Sequence, residues 1–279
     1  MLASTLVVLV GAFGLLIGSF LNVVVYRVPA KQSIVSPPSA CPNCGEPIRR
    51  RDNVPVLSWL FLRGECRDCQ APISRRYILV ELATGLFFAA VAGWFIFIWL
   101  PTVAVGSPGQ HVGAALVLVA YLYLAAVSVA LALIDIDHHR LPNSIVLPSY
   151  LVGAVLLGAA GVLTADYAAL LSAAIGAVAM FGFYFLLALV YPRGMGMGDV
   201  KLAGVLGVFL GFLGWQTLVV GAFAAFFLGG IFSIALVLMR RASRTSAIPF
   251  GPWMLLGAWV GIYLGTAMMS GYLQLFGIN

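Results

Sequence analysis

Charged side chains are scarce in this sequence. Of its 279 residues, 15 are Lys or Arg and 9 are Asp or Glu, so that 9% are charged. An ordinary soluble domain has about 25% charged residues. Hydrophobic residues make up 62% of the chain, and the mean hydropathy is +1.07. This composition excludes an ordinary soluble enzyme and predicts an all-α protein that crosses the membrane several times.

Long polar stretches are scarce too, and the apolar segments between them are long enough to cross a hydrocarbon core of about 30 Å. A further apolar run, 202–213, is short. It decides whether the chain crosses the membrane seven or eight times. The seven long segments lie at roughly 6–26, 78–100, 112–134, 145–163, 167–190, 215–239 and 253–276.

The positions of the basic residues favour eight crossings, because Lys and Arg collect on the cytoplasmic side of short loops. With a short sixth helix at roughly 199–214, all fifteen Lys and Arg residues fall on one face of the membrane. With seven crossings, the basic cluster at 240–244 would lie on the opposite face. We therefore predict about eight transmembrane helices, with both termini in the periplasm. The net charge of +6 reflects this bias and contact with anionic lipids, so that nucleic acid is not expected as a partner.

Three regions follow from this topology. Residues 1–26 form a first transmembrane helix, 27–77 a small cytoplasmic module, and 78–279 a seven-helix membrane region. Fifty residues suffice for a small stapled module but not for a nucleotide-binding domain. The sequence shows no convincing internal repeat.

Cysteine is absent outside the 27–77 loop, where two Cys-x-x-Cys pairs are separated by 21 residues. Four thiolates on two tight turns are the ligand set of structural zinc. Disulfides are the alternative, but the cytoplasm keeps thiols reduced, which favours zinc. Because four cysteines would fill the coordination shell, the metal is expected to be structural rather than catalytic. The predicted ligands are Cys41, Cys44, Cys66 and Cys69.

Two aspartates lie at the edges of apolar segments, where carboxylates are costly and usually functional. Asp135 directly follows an apolar run, and Asp199 follows a glycine-rich stretch, 194–198. Each has a structural alternative, which is to cap a helix end. Asp137 competes with Asp135, but residues two apart on a helix point to different faces. We prefer Asp135 because it lies closer to the bilayer.

Brought together by the fold, the two carboxylates would share one proton, since both cannot easily ionise. Soluble aspartic proteases use such a pair to hydrolyse peptide bonds. The main alternative is a proton- or cation-coupled transporter that uses the intramembrane aspartates. A transporter needs polar groups spread across the depth of the bilayer, whereas these cluster on one face. A membrane scaffold that recruits a partner would leave both aspartate segments without a purpose.

Taken in chain order, these motifs resemble the type 4 prepilin peptidases, membrane aspartyl proteases of the Gly-x-Gly-Asp kind. The resemblance covers nearly the whole chain, and the motifs are specific when taken jointly. It rests on Gly18–Arg27, both cysteine pairs, Arg75-Arg76-Tyr77 leading to Glu81, Asp135-Ile136-Asp137 with Leu141-Pro142-Asn143, and Gly196-Met197-Gly198-Asp199-Val200-Lys201.

This resemblance implies that Asp135 and Asp199 are the catalytic pair. The family removes the short basic leader of prepilins and pseudopilins at the cytoplasmic face of the bacterial inner membrane. Its bifunctional form, marked by the paired cysteines, then N-methylates the new N-terminus with S-adenosylmethionine. The products assemble into type IV pili or type II secretion pseudopili. No glycine-rich loop for S-adenosylmethionine is visible, so its binding residues are not predicted.

Other polar and small residues are expected to serve helix packing. Glu81 and Asn22 would be costly in lipid and are expected to face the bundle interior, as packing residues or as substrate contacts. Glycines four residues apart let helix backbones approach closely. They occur at Gly14/Gly18, Gly207/Gly211 and Gly257/Gly261/Gly265.

Overall fold

The computed structural model describes residues 1–103, 105–192, 194–240 and 249–277. In these ranges the chain is helical, and its only extended pairings are two isolated bridges. The predicted all-α class is therefore confirmed. The helices are α1 Leu2–Arg27, α2 Leu57–Phe61, α3 Arg75–Trp94, α4 Pro108–His138, α5 Asn143–Thr164, α6 Tyr167–Val190, α7 Met197–Phe212, α8 Trp215–Leu238 and α9 Gly251–Leu275.

Seven helical segments of the described chain are long and apolar enough to cross a membrane. They are α1, α3 with its helical continuation to Thr102, α4, α5, α6, α8 and α9. The protein is thus a multi-pass membrane protein. Of the basic residues used to predict its orientation, Arg193, Arg241 and Arg244 lie outside the described residues.

The predicted short sixth crossing forms as α7, two residues earlier than expected. It has 16 residues, about 24 Å of helix, and is not among the seven candidate spans. From Val200 to Phe212, every residue except Lys201 and Val208 is buried. The helix packs against α5, α6, α8 and α9. Because α7 is surrounded by protein, it does not have to match the thickness of the lipid.

The chain divides into two compact units. The first contains Met1–Val103 and Tyr121–Ala130, and the second contains the rest of the described chain. In the first unit, α1 packs on α3 at the predicted glycine pair. A Cβ on Gly14 would lie 2.7 Å from the Phe88 Cβ, and one on Gly18 would lie 2.7 Å from the Glu81 Cα. Only glycine allows this approach.

In the second unit, the other two glycine series join helices in the same way. A Cβ on Gly207 would clash with the carbonyl oxygen of Gly176 in α6. A Cβ on Gly257 would lie 2.5 Å from the backbone nitrogen of Ala225 in α8. The predicted role of all three glycine series in close helix packing is therefore confirmed.

A short turn closes α4 and carries the chain into α5. His139 takes a left-handed φ of 51° and donates its N–H to the Asp135 carbonyl at 2.8 Å. Pro142 then precedes the first residue of α5. This turn fixes the last helical turn of α4, which carries Asp135.

Candidate active site and metal centre

Asp135 lies in the last turn of α4 and is buried, with 5% of its surface exposed. Its Oδ2 accepts a hydrogen bond from the backbone N–H of Gly251 at 3.1 Å. Gly251 is the first residue of α9, where N–H groups have no partner within the helix. The helix dipole there also favours negative charge. The fold therefore places the Asp135 carboxyl group against the start of another helix.

Asp199 is the third residue of α7 and is partly exposed. Its Oδ2 accepts a hydrogen bond from the backbone N–H of Gly196 at 3.1 Å. Gly196 directly precedes the helix, so the carboxylate caps its own helix start. The capping alternative for Asp199 is thus part of the observed geometry, and a cap at this position leaves the second carboxylate oxygen for other chemistry.

The second unit brings the two carboxylates together. Their charges are close enough to repel each other. Leu141 lies beside both glycine-bearing segments: a Cβ on Gly198 would lie 3.1 Å from the Leu141 Cβ, and one on Gly251 would lie 3.2 Å from its Cδ2. Asp137, two residues after Asp135, is exposed. Asp135 is therefore buried and Asp137 is not, as expected for residues two apart, which lie on different faces of a helix.

Sequence reasoning missed Gly251. A Cβ at this position would lie 2.6 Å from the Asp135 Oδ2, so any other residue would displace the carboxyl group. The signal was present, since a Gly-Pro pair before an apolar run is typical of a helix start. Nothing in the sequence connected that helix start to Asp135.

Sequence reasoning also missed Tyr184. This α6 residue is fully buried, and the Asp199 carboxylate acts electrostatically on its hydroxyl. Its ring lies 5.4 Å from that of Phe226 and 6.3 Å from that of Phe250. A tyrosine within an apolar helix carries no sequence signal that separates it from ordinary core.

Lys201, just after Asp199, joins two helices of the second unit. Its Nζ donates to the Asn143 Oδ1 at 3.1 Å, and its carbonyl accepts from the Tyr150 hydroxyl at 2.7 Å. Both partners lie on α5. These bonds hold the start of α7 against α5.

The four cysteines form one cluster in the first unit. All are free, and their Sγ atoms lie within 4.8 Å of one another. The Cys41 and Cys69 sulfurs are 3.7 Å apart. Tetrahedral zinc with bonds of about 2.3 Å separates its sulfur ligands by about 3.8 Å. The cluster therefore fits a metal with four thiolate ligands.

The two cysteine turns have the same backbone geometry. In each, the residue after the second cysteine has a left-handed φ and donates its N–H to the carbonyl of the first cysteine. These bonds run from Gly45 to Cys41 at 2.9 Å and from Gln70 to Cys66 at 3.0 Å. The sequence Cys-x-x-Cys-x-x-Pro-Ile occurs at both 41–48 and 66–73. Our expectation that the chain has no internal repeat was therefore wrong.

Hydrogen bonds to the sulfurs favour thiolates. The backbone N–H of Ala71 and the Asn43 side chain lower the pKa of Cys69 to about 6. The backbone N–H groups of Cys44 and Asn43 lower the pKa of Cys41. Because metals bind the deprotonated thiolate, these bonds favour metal binding at Cys41 and Cys69. At Cys44, by contrast, the lowering effect of the Glu46 backbone N–H is outweighed by desolvation and by the other three cysteines, which raise the pKa to about 12.

Ion pairs connect the second cysteine turn to the segment 49–52. Arg67 makes a two-pronged bond to Asp52, at 2.8 and 2.6 Å. Arg49 pairs with Asp68 at 2.6 Å. Arg67 and Asp68 are the two residues between Cys66 and Cys69, so these pairs fix the turn from outside.

Glu81 and Asn22 link parts of the first unit. Glu81 is buried, and its Oε2 accepts from the Val56 N–H at 2.7 Å. Asn22 donates from its Nδ2 to the Tyr77 carbonyl at 3.2 Å. The expected interior position of Glu81 is confirmed, and both bonds favour a packing role.

Two protein-family models match the chain. The family model described as Bacterial Peptidase A24 N-terminal domain matches residues 12–95, and the model described as Type IV leader peptidase family matches residues 122–234. No solved structure matches the chain.

Relatives from several bacteria carry the name prepilin leader peptidase/N-methyltransferase. The relative from Stutzerimonas stutzeri is 36% identical over 94% of this chain and 91% of its own length. That from Aeromonas hydrophila is 36% identical over 96% and 94%, and that from Pseudomonas aeruginosa 35% identical over 95% and 93%. With similarity along nearly the whole of both chains, this protein belongs to the type IV leader peptidase family.

Proposed function

We propose that this protein is a bifunctional membrane enzyme that cleaves the leader peptide of prepilins and pseudopilins and N-methylates the new N-terminus. The observation that carries the peptidase half is that Asp135 and Asp199 lie in one unit, near enough for their charges to interact, and that each is held by a backbone N–H at a helix start. The names of the relatives support both halves.

The peptidase chemistry follows from a carboxyl pair that holds one proton. The ionised carboxylate takes a proton from water while the water oxygen bonds to the scissile carbonyl carbon. The protonated carboxyl group gives its proton to the carbonyl oxygen. When the C–N bond breaks, the leaving nitrogen takes a proton from one carboxyl group, and a hydroxyl of the intermediate returns one to the other. The pair then holds a single proton again.

The backbone around the pair supplies the positioning. The N–H groups of Gly251 and Gly196 each engage one oxygen, Oδ2, of their aspartate. The other oxygen of each carboxyl group is left for water, the scissile carbonyl or the shared proton. Groups fixed in this way need little reorganisation during the reaction.

Cys41, Cys44, Cys66 and Cys69 are proposed to hold a structural zinc ion. When bound, the metal supplies the cross-link between the two cysteine turns. S-adenosylmethionine is the proposed methyl donor for the transferase half. The active site is proposed to open onto the cytoplasmic face of the inner membrane, and the basic residues of loops 27–77 and 135–144 support this orientation.

The transporter alternative is not favoured. The two aspartates lie in one unit, with Asp135 at the end of α4 bonded to the start of α9 and Asp199 at the start of α7, whereas a transport route needs polar groups at several depths. The relatives are also named as enzymes.

The test is a cleavage assay on the purified full-length protein in detergent, with a prepilin-like peptide as substrate. Asp135→Asn and Asp199→Asn are each expected to lower the cleavage rate by about a thousandfold or more, because the two carboxyl groups act together and one alone cannot catalyse the reaction. Asp137→Asn is the matched control and is expected to cleave near the wild-type rate. Cleavage that survives in both Asp135→Asn and Asp199→Asn would show that the proposal is wrong, and loss only in Asp137→Asn would reassign the pair.

A further inference from the structure

Tyr184 carries a buried hydroxyl group that the structure leaves unpaired. The residue is fully buried, and no described residue is a hydrogen-bond partner of its hydroxyl. A buried polar group without a partner is destabilising, and each instance in a native structure calls for a physical reason. Phenylalanine would fill the same space without that penalty.

Helix packing places Tyr184 level with the start of α7. A Cβ on Gly207 would meet Gly176 of α6, and one on Gly204 would lie 3.3 Å from the Phe181 Cβ. The two helices therefore run antiparallel, so that the end of α6 lies beside the start of α7. Tyr184 lies about one turn beyond Phe181, and this brings it to the helix start that carries Asp199.

The negative charge of Asp199 interacts electrostatically with the Tyr184 hydroxyl group. Asp199 already accepts one bond, from Gly196, at its Oδ2. The carboxylate therefore has capacity for a second donor, and the Tyr184 hydroxyl is a donor without an acceptor among the described residues.

Aromatic packing holds the Tyr184 ring in place. Phe183 lies 5.7 Å away and edge-on, Phe226 of α8 lies at 5.4 Å, and Phe250 lies at 6.3 Å. Phe250 directly precedes Gly251, the residue that donates to Asp135. A ring packed in this way loses little further freedom when its hydroxyl forms a bond.

We propose that Tyr184 is a positioning residue of the aspartate pair, whose hydroxyl donates a hydrogen bond to the Asp199 carboxylate in the substrate-bound site. This inference rests on the proposed peptidase function. Hydrogen bonds at catalytic groups are often long in the free enzyme and tighten in the complex. A donor to a carboxylate in a water-poor site favours its ionised form and fixes its orientation.

Tyr150 offers a matched comparison in the same unit. Its hydroxyl already has a partner on α7, because it donates to the backbone carbonyl of Lys201 at 2.7 Å. Loss of the Tyr150 hydroxyl removes a bond that already exists in the free protein. Loss of the Tyr184 hydroxyl removes no existing hydrogen bond to a described residue.

The experiment compares wild type, Tyr184→Phe, Tyr150→Phe and Asp199→Asn in the full-length protein, with the peptide cleavage assay and thermal unfolding measured for each. Tyr184→Phe is expected to lower kcat about ten- to hundredfold, with KM little changed. Its Tm is expected to stay the same or rise, because an unpaired polar group has been removed. Tyr150→Phe is expected to lower Tm while its pH profile stays in place.

The pH profile of kcat distinguishes a Tyr184 that positions the Asp199 carboxylate from a Tyr184 that only packs against other helices. In the free protein, burial, the Gly196 N–H and the Asp135 charge on α4 act on the Asp199 carboxylate, and the proposed bond adds the Tyr184 hydroxyl as a further donor. Without the tyrosine donor, the carboxylate holds its proton more strongly. The acid limb of the Tyr184→Phe profile is therefore expected to move to higher pH.

Three results would overturn the inference. These are a Tyr184→Phe enzyme with wild-type kcat, one whose acid limb is unmoved, and one whose loss of activity accompanies a fall in Tm. If wild type cleaves and Asp199→Asn does not, such results reject only the role of Tyr184. If wild type does not cleave, or Asp199→Asn does, the proposed function itself fails and the inference fails with it.

Discussion

The cysteine module of residues 27–77 and the aspartate site of the second unit are built in opposite ways. The two cysteines of each pair are three residues apart, and a backbone hydrogen bond within the same turn holds them in place. Asp135 and Asp199 are 64 positions apart (199 − 135) and are positioned by α4, α7 and α9. Local geometry makes the first site, and only packed helices make the second.

The two regions also differ in what stabilises them. Between positions 28 and 74, only Pro55 and Gly64 are buried. In α7, almost every residue after Asp199 is buried. A segment with so little core cannot fold by hydrophobic burial alone and needs a metal or another cross-link. The aspartate site instead depends on the close packing of glycine-bearing helices.

Metal removal is the largest expected effect and tests this contrast directly. Chelation of the metal in the full-length protein is expected to unfold 39–73, because structural zinc supplies about 10 kcal/mol or more of folding free energy. Hydrogen exchange by mass spectrometry should show lost protection there and unchanged protection in α7. Protection of 39–73 that persists in the metal-free protein would contradict the proposed metal dependence.

Gly251→Ala is expected to have the next largest effect, and it tests the aspartate site. The new Cβ would meet the Asp135 Oδ2 at 2.6 Å and displace the carboxyl group, and a shift of about 1 Å in a catalytic group costs roughly a hundredfold in rate. Cleavage should fall by about that factor while the metal content stays the same. Gly271→Ala in the same helix, where a Cβ meets nothing within 4 Å, is the matched control and should cleave normally.

Gly211→Ala probes the packing that positions α7. A Cβ there would lie 2.5 Å from the Ser172 carbonyl oxygen, and such overpacking typically destabilises by about 1–3 kcal/mol. The thermal unfolding midpoint of the protein should fall. Gly182→Ala in α6 faces open space and should leave the midpoint unchanged or slightly raised. Equal midpoints for the two variants would argue against close packing of α6 and α7.

Asn43→Ala is expected to have the smallest effect and concerns the metal site. Its side chain lies 3.6 Å from the Cys69 sulfur and helps to lower the pKa of that thiol to about 6. Without this donor the pKa of Cys69 rises, so protons compete with the metal at higher pH. A zinc indicator should report release at a higher pH than in wild type. Asn53→Ala, in the same loop, should release zinc at the wild-type pH, and equal release from both variants would count against the bond.

Much of the fold was predictable because the bilayer imposes a simple rule on length and polarity. The seven long apolar segments all appear as helices, and the three glycine series join the helices as expected. The cysteine cluster was predictable for a different reason, since spacing of two residues fixes how each pair can point. In both cases the deciding geometry lies within a few turns of chain.

The rest of the site was not predictable because its parts are far apart in sequence. Sequence reasoning singled out neither Gly251, which begins α9, nor Tyr184, which is buried in α6. The short helix α7 looked like a marginal crossing, whereas it is a helix surrounded by other helices. Each of these roles depends on neighbours that no local pattern reveals.

The sequence by itself determined that the chain is a multi-pass helical membrane protein, and where its cysteines and aspartates lie. Those features follow from composition, hydropathy and residue spacing, which act over short stretches of chain. Only the tertiary structure decided that Gly251 and Gly196 hold the two carboxyl groups, that Asp137 points away, and that the Tyr184 hydroxyl lies within reach of the Asp199 charge. The physical reason is that burial and electrostatic interaction depend on distance in space, which the packing of α4, α6, α7 and α9 sets.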